Sequence, residues 1–319
     1  MKDKMPLGVI DSLNAGFGTL AQKPFLLLIP ILLDLFLWFG PRLSATPKVL
    51  ADVCQGIVPE LTTRLQALTS QSADTSAEIF GQTLEEILGS YNLFSALSTW
   101  PLGAPSLLAG NEPGTNPLGT NPVLKVETLG GFLACLLLLV LLGLLLASLY
   151  FSLIARWVNG NPNSLRTWAM FIGLYWGRIV ASVALVLVGV FFLSIPFFLI
   201  VEIVGLIFGP LALLILLAGT MAVIWGIFHL FFAVHSILIE DASIPKAMAN
   251  SIRLVRRYPH SAVGLLLAAM LISLGLGKIW HMPPSESWTR LIGILGNAFI
   301  NTGLVTATFV YYRERNLKP

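Results

Sequence analysis

The stretch that decides the fold is residues 178–240, RIVASVALVLVGVFFLSIPFFLIVEIVGLIFGPLALLILLAGTMAVIWGIFHLFFAVHSILIE. Between its two terminal residues it carries a single Asp, Glu, Lys or Arg side chain, Glu202. A helix rises about 1.5 Å per residue and a bilayer core is about 30 Å thick, so this stretch is too long for a single crossing. Near its middle it contains Gly205, Gly209 and Pro210, which predict a tight hairpin between two membrane helices.

The same scarcity of charge extends over the whole chain. Of its 319 residues, 56% are hydrophobic and 11% are charged, and the mean hydropathy is +0.83, whereas a soluble domain carries about 25% charged residues. This composition excludes a disordered protein, a disulfide-stabilised scaffold and an ordinary soluble enzyme. The expected fold is an all-α polytopic membrane protein that forms one membrane domain over residues 1–319. The charge-poor runs predict six transmembrane helices, at about residues 24–41, 126–156, 178–204, 210–238, 259–279 and 289–312.

The basic residues predict the orientation of these helices. With six crossings, thirteen of the 19 Lys and Arg residues lie on the side of both termini, and the rest are spread over longer loops. Because basic residues are enriched in cytoplasmic loops, we expect a multi-pass protein of the cell (inner) membrane with both termini in the cytoplasm. We expect the first helix to be retained rather than cleaved as a signal peptide, because its apolar run starts only at Phe25 and includes Asp34.

A short amphipathic segment precedes each odd-numbered span on the cytoplasmic side. The first and third segments end in the dipeptides Lys23-Pro24 and Tyr258-Pro259, where proline stops one helix and lets the next begin at a new angle. The sequence therefore predicts a unit, an in-plane helix followed by a membrane hairpin, that is used three times. The three amphipathic segments are residues 7–22, 164–177 and 244–257.

The third of these segments is predicted to be a cytoplasmic basic amphipathic helix over residues 243–258. Each basic residue near a membrane surface attracts anionic lipid headgroups by about 1 kcal/mol, so its basic side chains are candidate headgroup contacts. The alternative is that the positive-inside rule alone places them there. The candidate headgroup contacts are Lys246, Arg253, Arg256 and Arg257, and Asn250 is expected on the same polar face.

The connection between the first two spans, residues 43–125, is far longer than an ordinary loop and is predicted to be an extracytoplasmic insertion. Apolar residues at helical spacing predict two helices, over residues 49–68 and 79–91, and the Pro, Gly and Asn residues of 100–122 predict an irregular loop. We expect the apolar faces of the two helices to pack together, onto the membrane surface or onto a partner. The alternative is a simple helical lid without a partner.

Several polar residues fall inside the predicted spans. Asp34 lies about midway along the first, where a carboxylate is costly and usually faces a polar interior or a pathway. His229 lies in the fourth span, and Asn297 and Asn301 share one face of the sixth. One hypothesis is a polar cavity that joins these four residues, which would suit a translocation path or a bound polar headgroup. The alternative is that each makes a structural hydrogen bond to a neighbouring helix.

Two segments of the sequence resemble a known family. They are residues 239–257, IEDASIPKAMANSIRLVRR, and residues 308–315, TFVYYRER. They are similar to bacterial six-helix integral membrane proteins of unassigned function, and to the membrane domain fused to some glycerophosphodiester phosphodiesterases. The resemblance implies the fold and says little about chemistry, and the long outer insertion departs from the short connection of that family. The residues that match its pattern are Glu240, Ala247, Ser251, Tyr312 and Arg313.

These observations favour a non-catalytic membrane protein that acts as a partner or organising subunit and contacts lipid or other membrane proteins. A transporter or permease-like protein with a polar cavity around Asp34 is the first alternative, and an intramembrane lipid-processing enzyme is the second. No nucleophile elbow, phosphate-binding glycine loop or metal-binding motif occurs in the sequence, so no metal and no cofactor are expected. The expected partners are the lipid bilayer with its anionic lipids, and another membrane protein or a second copy of the chain. A net charge of +3 gives no reason to expect nucleic acid.

Overall fold

The computed structural model describes residues 7–53, 91–98, 102–110, 114–160 and 165–316, which are predominantly helical. The helices are α1 (Val9–Gln22), α2 (Leu28–Phe39), α3 (Leu129–Val158), α4 (Leu165–Ile207), α5 (Gly209–Leu230), α6 (Ala233–Glu240), α7 (Ile244–Arg257), α8 (Pro259–Trp280) and α9 (Arg290–Asn316). Short 3₁₀ helices lie at Pro24–Leu27 and Leu93–Leu97. The strands are β1 (Arg42–Ala45), β2 (Thr115–Asn116), β3 (Gly119–Thr120) and β4 (Val123–Val126).

Membrane-spanning helices dominate this part of the chain. Within the described residues, five helical stretches are long and apolar enough to cross a membrane: α3, α4, α5 with α6, α8 and α9. The count becomes six if α1 and the segment Pro24–Phe39, which meet at 98°, are one bent span. The chain is therefore compatible with a multi-pass membrane protein.

The predicted hairpin between the third and fourth spans is confirmed. Helix α4 ends at Ile207, Phe208 has an extended backbone with φ −154° and ψ 93°, and α5 begins at Gly209. Pro210 lies in the first turn of α5, where the backbone N–H that proline lacks would have no helical partner. The break between the two helices thus lies next to the glycine and proline residues that predict it.

The in-plane segment predicted at residues 164–177 is wrong as a separate helix. Helix α4 runs without interruption from Leu165 to Ile207 and so includes the third span. The other two junctions contain a proline, which removes a helical N–H and restricts the residue before it. The step from Gly177 to Arg178 contains none, so the helix continues through it.

The predicted fourth span, residues 210–238, corresponds to the helical stretch of α5 with α6, which is interrupted at Phe231 and Phe232. The hydroxyl of Ser251, on α7, fills this break. Its Oγ accepts a hydrogen bond from the backbone N–H of Phe232 at 3.0 Å and donates one to the carbonyl of His229 at 2.6 Å. A side chain from another helix thus replaces the helical partners of two buried backbone groups.

The predicted similarity between α1 and α7 is present in their structure. Each helix ends at an X-Pro junction, and the residues before proline have nearly the same backbone: φ −133° and ψ 62° at Lys23, φ −131° and ψ 53° at Tyr258. Both helices bury the residues that lie three, seven and eleven positions before the residue that precedes proline, which is Lys23 in α1 and Tyr258 in α7. These residues are Leu20, Gly16 and Ser12 in α1, and Val255, Ser251 and Ala247 in α7.

The repeated units close into a ring. The second helix of each predicted membrane hairpin packs against the helix that begins the next unit. This places α3 against α4, α6 against α7, and α9 against α1. In the last of these contacts a Cβ added at Gly16 would lie 2.6 Å from the backbone nitrogen of Ala307, so the two helices approach too closely for any side chain there. Helices α3, α6 and α9 also contact one another at the centre.

The described part of the insertion contains four short strands, a small exception within the predominantly helical described residues. Strand β1 pairs in parallel with β4, and β2 pairs with β3 in a small hairpin. Val49 and Leu93 pack on Phe132 and Leu139 of α3, so this part of the insertion covers the first half of that helix. Burial in this region raises the pKa of the Tyr91 phenol. Most of the predicted two-helix element, residues 54–90, lies outside the described residues.

Candidate functional site

Asp34 is fully buried, and its carboxylate binds a segment of the long connection between α2 and α3. Its Oδ1 accepts hydrogen bonds from Ser106 Oγ at 2.5 Å and from the backbone N–H groups of Leu107 and Leu108 at 3.0 and 3.1 Å. Its Oδ2 accepts a second bond from the Leu107 N–H at 3.0 Å. Successive backbone N–H groups that converge on one anion form a nest. Asp34 therefore anchors this loop to α2.

A buried cation accompanies this carboxylate. Arg290, at the start of α9, interacts electrostatically with Asp34, and its Nη1 donates hydrogen bonds of 2.9 Å to the carbonyls of His281 and Pro283. Nearby, Trp38 Nε1 donates to the carbonyl of Ser285 at 2.8 Å. These contacts join α2, the anchored loop and the connection between α8 and α9 at one end of the bundle, which we call the loop end.

Asn297 and Asn301 bond to each other and to the neighbouring helix. Asn301 Nδ2 donates to Asn297 Oδ1 at 2.7 Å, and Ser273 Oγ of α8 donates to Asn301 Oδ1 at 2.6 Å. On the adjacent turn Tyr150 of α3 donates to Thr302 Oγ1 at 3.0 Å. Asn301 and Thr302 thus make the interhelical hydrogen bonds that the alternative interpretation describes, whereas the buried amide nitrogen of Asn297 has no hydrogen-bond partner among the described residues.

His229 is half-buried near the end of α5, and its Nδ1 lies 2.8 Å from the carbonyl of Trp225, the residue one turn earlier. Among the hydrogen bonds of the described residues, Asp34, His229 and the asparagine pair each have different partners. Of the four residues in the polar-cavity hypothesis, the structure brings together Asn297 and Asn301 and gives the other two separate surroundings.

Aromatic side chains fill the space between the three central helices. The rings of Phe151 and Phe309 lie 6.0 Å apart, and those of His235 and Phe309 lie 4.1 Å apart. Phe232 stacks on Tyr311 at 5.6 Å, and His235 Nε2 lies 2.8 Å from Thr308 Oγ1. The centre of the bundle between α3, α6 and α9 is therefore a packed core at this level.

The basic side chains of α7 lie on the surface of the opposite end of the bundle. This end, which we call the termini end, is marked by the bond from Arg315 Nη2 to the carbonyl of Leu7 at 2.7 Å. A shallow, open depression on α7 has a mostly apolar lining, to which three arginine side chains contribute. Its lining residues are Ala249, Ile252, Arg253, Arg256 and Arg257. Lys246 is exposed on the same helix but does not line the depression.

A buried polar network lies directly behind this surface. Glu240, at the end of α6, accepts hydrogen bonds from Tyr312 and Asn316 of α9 through Oε1, and from Asn250 of α7 through Oε2 at 3.1 Å. Asn250 Nδ2 also donates to Ser236 Oγ at 3.1 Å. The network therefore packs the two segments that carry the family resemblance, residues 239–257 and 308–315, against each other.

Asn250 is a residue that the sequence pattern misplaces. Helical spacing predicts it on the polar face with Lys246, yet it is 5% exposed. Its neighbours Glu240 and Ser236 approach from α6, and no sequence spacing reports that approach. The resemblance does not find it either, because it fixes Ala247 and Ser251 and leaves the residues between them open.

Comparison of the chain with protein-family models, with curated proteins and with solved structures finds no match. The resemblance to bacterial six-helix membrane proteins therefore stays an expectation. Among the described residues, no three His, Cys, Asp or Glu side chains cluster so as to hold a metal ion. Among the described residues, the exposed basic face of α7, with the network behind it, is the arrangement that can contact other molecules, and the carboxylate of Asp34 is engaged within the chain.

Proposed function

We propose that this chain is a non-catalytic integral membrane protein that binds anionic lipid headgroups through α7 and organises lipids or other membrane proteins around it. It is a multi-pass protein of the bacterial inner membrane with both termini in the cytoplasm. The support for this orientation is the excess of Lys and Arg at the termini end, where α7 also lies. Lipid phosphates of the cytoplasmic leaflet are then the nearest anions to its basic face.

The observation that carries the proposal is a comparison of α7 with α1 at positions equally distant from their X-Pro junctions. Both helices have the same junction and bury the same three positions, so the fold alone demands no positive charge on either. The basic residues of α7 are therefore additions to a common scaffold, and surface arginines suit phosphate groups. Where α7 has Lys246, Arg253, Arg256 and Arg257, α1 has Asp11, Gly18, Ala21 and Gln22.

The transporter alternative has weaker support. Its central residue, Asp34, uses its carboxylate to hold Ser106 and Leu107, so that group is already engaged in the described structure. The aromatic packing around Phe309 fills the centre of the bundle, where a path between α3, α6 and α9 would run. Neither observation favours a continuous polar route.

The test is purification from native membranes in mild detergent, followed by mass spectrometry of bound lipids and proteins. The double variant Arg256→Ala/Arg257→Ala should lose anionic-lipid enrichment, by about fivefold for each charge at ~1 kcal/mol. The matched control removes two exposed lysines at the loop end, Lys125→Ala/Lys278→Ala, and should keep the enrichment. Equal lipid profiles for the two double variants would count against a headgroup surface on α7.

The same preparation tests the organising role. A partner protein, or a second copy of the chain, should co-purify at a fixed ratio in a lipid-retaining detergent. A chain that purifies alone at every detergent concentration contradicts that part of the proposal and leaves the lipid result to be judged by itself.

A further inference from the structure

We infer that the depression on α7 is a defined site for the phosphate of one anionic phospholipid, and that Asn250 and Glu240 are positioning residues that hold Arg253 for it. The inference rests on the proposed lipid-binding function. It adds that the lipid binds at one defined site instead of being attracted diffusely to the basic face. Diffuse attraction needs only positive charge near the surface. A defined site needs at least one guanidinium held in a fixed place before the lipid arrives.

Arg253 is held in this way. Its Nη1 donates a hydrogen bond of 3.3 Å to Oδ1 of Asn250, and Arg253 lines the depression. The guanidinium has five N–H donors in a rigid planar fork. One donor is used by Asn250, and the others remain to bind a phosphate, which accepts two parallel bonds from such a fork.

The orientation of the Asn250 amide follows from its other neighbours. Its Nδ2 faces Oε2 of Glu240 and Oγ of Ser236, each at 3.1 Å. An ionised carboxylate only accepts hydrogen bonds, so the amide nitrogen must face Glu240 and the amide oxygen must face Arg253. Glu240 is itself fixed by Tyr312 and Asn316 of α9, so the arrangement is braced by three helices.

The fold does not require this arrangement. In α1, the positions equivalent to Asn250 and Arg253 are occupied by Ala15 and Gly18. Helix α1 nevertheless ends at an X-Pro junction with nearly the same backbone angles as that of α7. A buried amide is costly unless both its nitrogen and its oxygen are hydrogen-bonded. Glu240 and Ser236 satisfy the nitrogen of Asn250, and Arg253 satisfies its oxygen, a contact that α1 lacks because Gly18 has no side chain to make it.

A membrane phospholipid fits this site better than a free phosphate. The floor of the depression includes Ala249 and Ile252, which add apolar surface next to the arginines. Helix α7 also stands between two helical stretches that are long and apolar enough to span the membrane, α5 with α6 and α8, so its surface lies at the level of the headgroups. A lipid bound here has its phosphate on Arg253 and its chains among the neighbouring lipids.

The experiment measures lipid retention by native mass spectrometry after the full chain, in nanodiscs of equal phosphatidylglycerol and phosphatidylcholine, is exchanged into detergent. The original chain should keep one phosphatidylglycerol. Arg253→Lys preserves the charge but removes the fork, and Asn250→Ala preserves every surface charge. Both should lower retention by about tenfold. Lys246→Ala removes a charge outside the depression and should lower it by at most about fivefold, the effect of ~1 kcal/mol.

The outcomes separate the two claims. If Arg253→Lys and Asn250→Ala retain phosphatidylglycerol as the original chain does, a positioned arginine is overturned and diffuse attraction remains. If Arg256→Ala/Arg257→Ala also leaves the preference over phosphatidylcholine unchanged, the proposed function fails as well. Arg253 is exposed, so the Arg253→Lys result stands even if Asn250→Ala folds poorly. Displacement of the lipid by millimolar inorganic phosphate would show that the site takes phosphate itself and would overturn the assignment to a lipid.

Discussion

Replacement of Asp34 by alanine should release the loop that its carboxylate holds. The change leaves one hydroxyl and two backbone N–H groups without their acceptor, at a place where Leu107 and Leu108 are each 4% exposed. It also removes the negative charge next to Arg290, which is 3% exposed. A buried donor that loses its acceptor costs about 1–3 kcal/mol, so the loss of the acceptor for three donors costs about 3 kcal/mol or more.

That free energy sets the size of the expected effect. Each 1.4 kcal/mol changes an equilibrium about tenfold, so the fraction of molecules with a detached loop should rise by about two orders of magnitude or more. The assay is labelling of Leu108→Cys by a membrane-impermeant maleimide, with Cys54 and Cys135 replaced by serine. In the presence of Asp34 the reaction should be slow, because position 108 is buried, and in Asp34→Ala it should be fast.

Two controls make the result decisive. Leu118, in the same connection, is 77% exposed, so Leu118→Cys should react quickly whether or not Asp34 is present. Asp34→Asn keeps the shape and one acceptor oxygen but loses the attraction to Arg290, so its labelling rate should be intermediate. If Leu108→Cys stays unreactive in Asp34→Ala while Leu118→Cys reacts, Asp34 does not anchor the loop and the reasoning is refuted.

Two further predictions concern helix packing. Gly16→Val should lower the melting temperature in detergent, by the equivalent of about 1–3 kcal/mol, because its side chain would overlap the backbone of Ala307. Gly18→Ala, where nothing lies within 4 Å of an added Cβ, should leave the melting temperature unchanged; equal shifts in the two variants would contradict the close approach of α1 and α9. Ser251→Ala should cost about 1–2 kcal/mol, because the buried N–H of Phe232 loses its acceptor. Hydrogen exchange at the break between α5 and α6 should then become faster, and unchanged exchange there would show that Ser251 does not brace it.

The elements that could be predicted from the sequence are those governed by local rules. Apolar runs set by the thickness of the bilayer give the bounds of α3, α8 and α9 to within a few residues. Breaker residues give the hairpin at Phe208, and proline gives the ends of α1 and α7. In each case the deciding residue lies within the element or beside it in the chain.

The features that could not be predicted depend on partners distant in sequence. The acceptor role of Asp34 requires Ser106, more than seventy residues away, and the break at Phe232 requires Ser251 from another helix. Asn250 has the spacing of a surface residue but is buried because α6 approaches it. Helical periodicity indicates which residues share a face of a helix. It does not indicate which other element of the fold covers that face.

The pairing of β1 with β4 has a consequence for how the chain can change. Neighbouring strands lie about 4.8 Å apart, so the chain leaves the bundle and returns to it at almost one point. The pairing of the two strands therefore does not depend on the length of the chain between residues 46 and 122, and doubling that length adds only about 0.6 kcal/mol of closure entropy. Because the two strands are parallel, the intervening segment must be a crossover of at least about a dozen residues. Above that minimum, extra residues can be carried at exposed positions of the connection, such as Leu118, whereas insertions at Val49, Leu93 or the loop held by Asp34 would disturb the helices on which they pack.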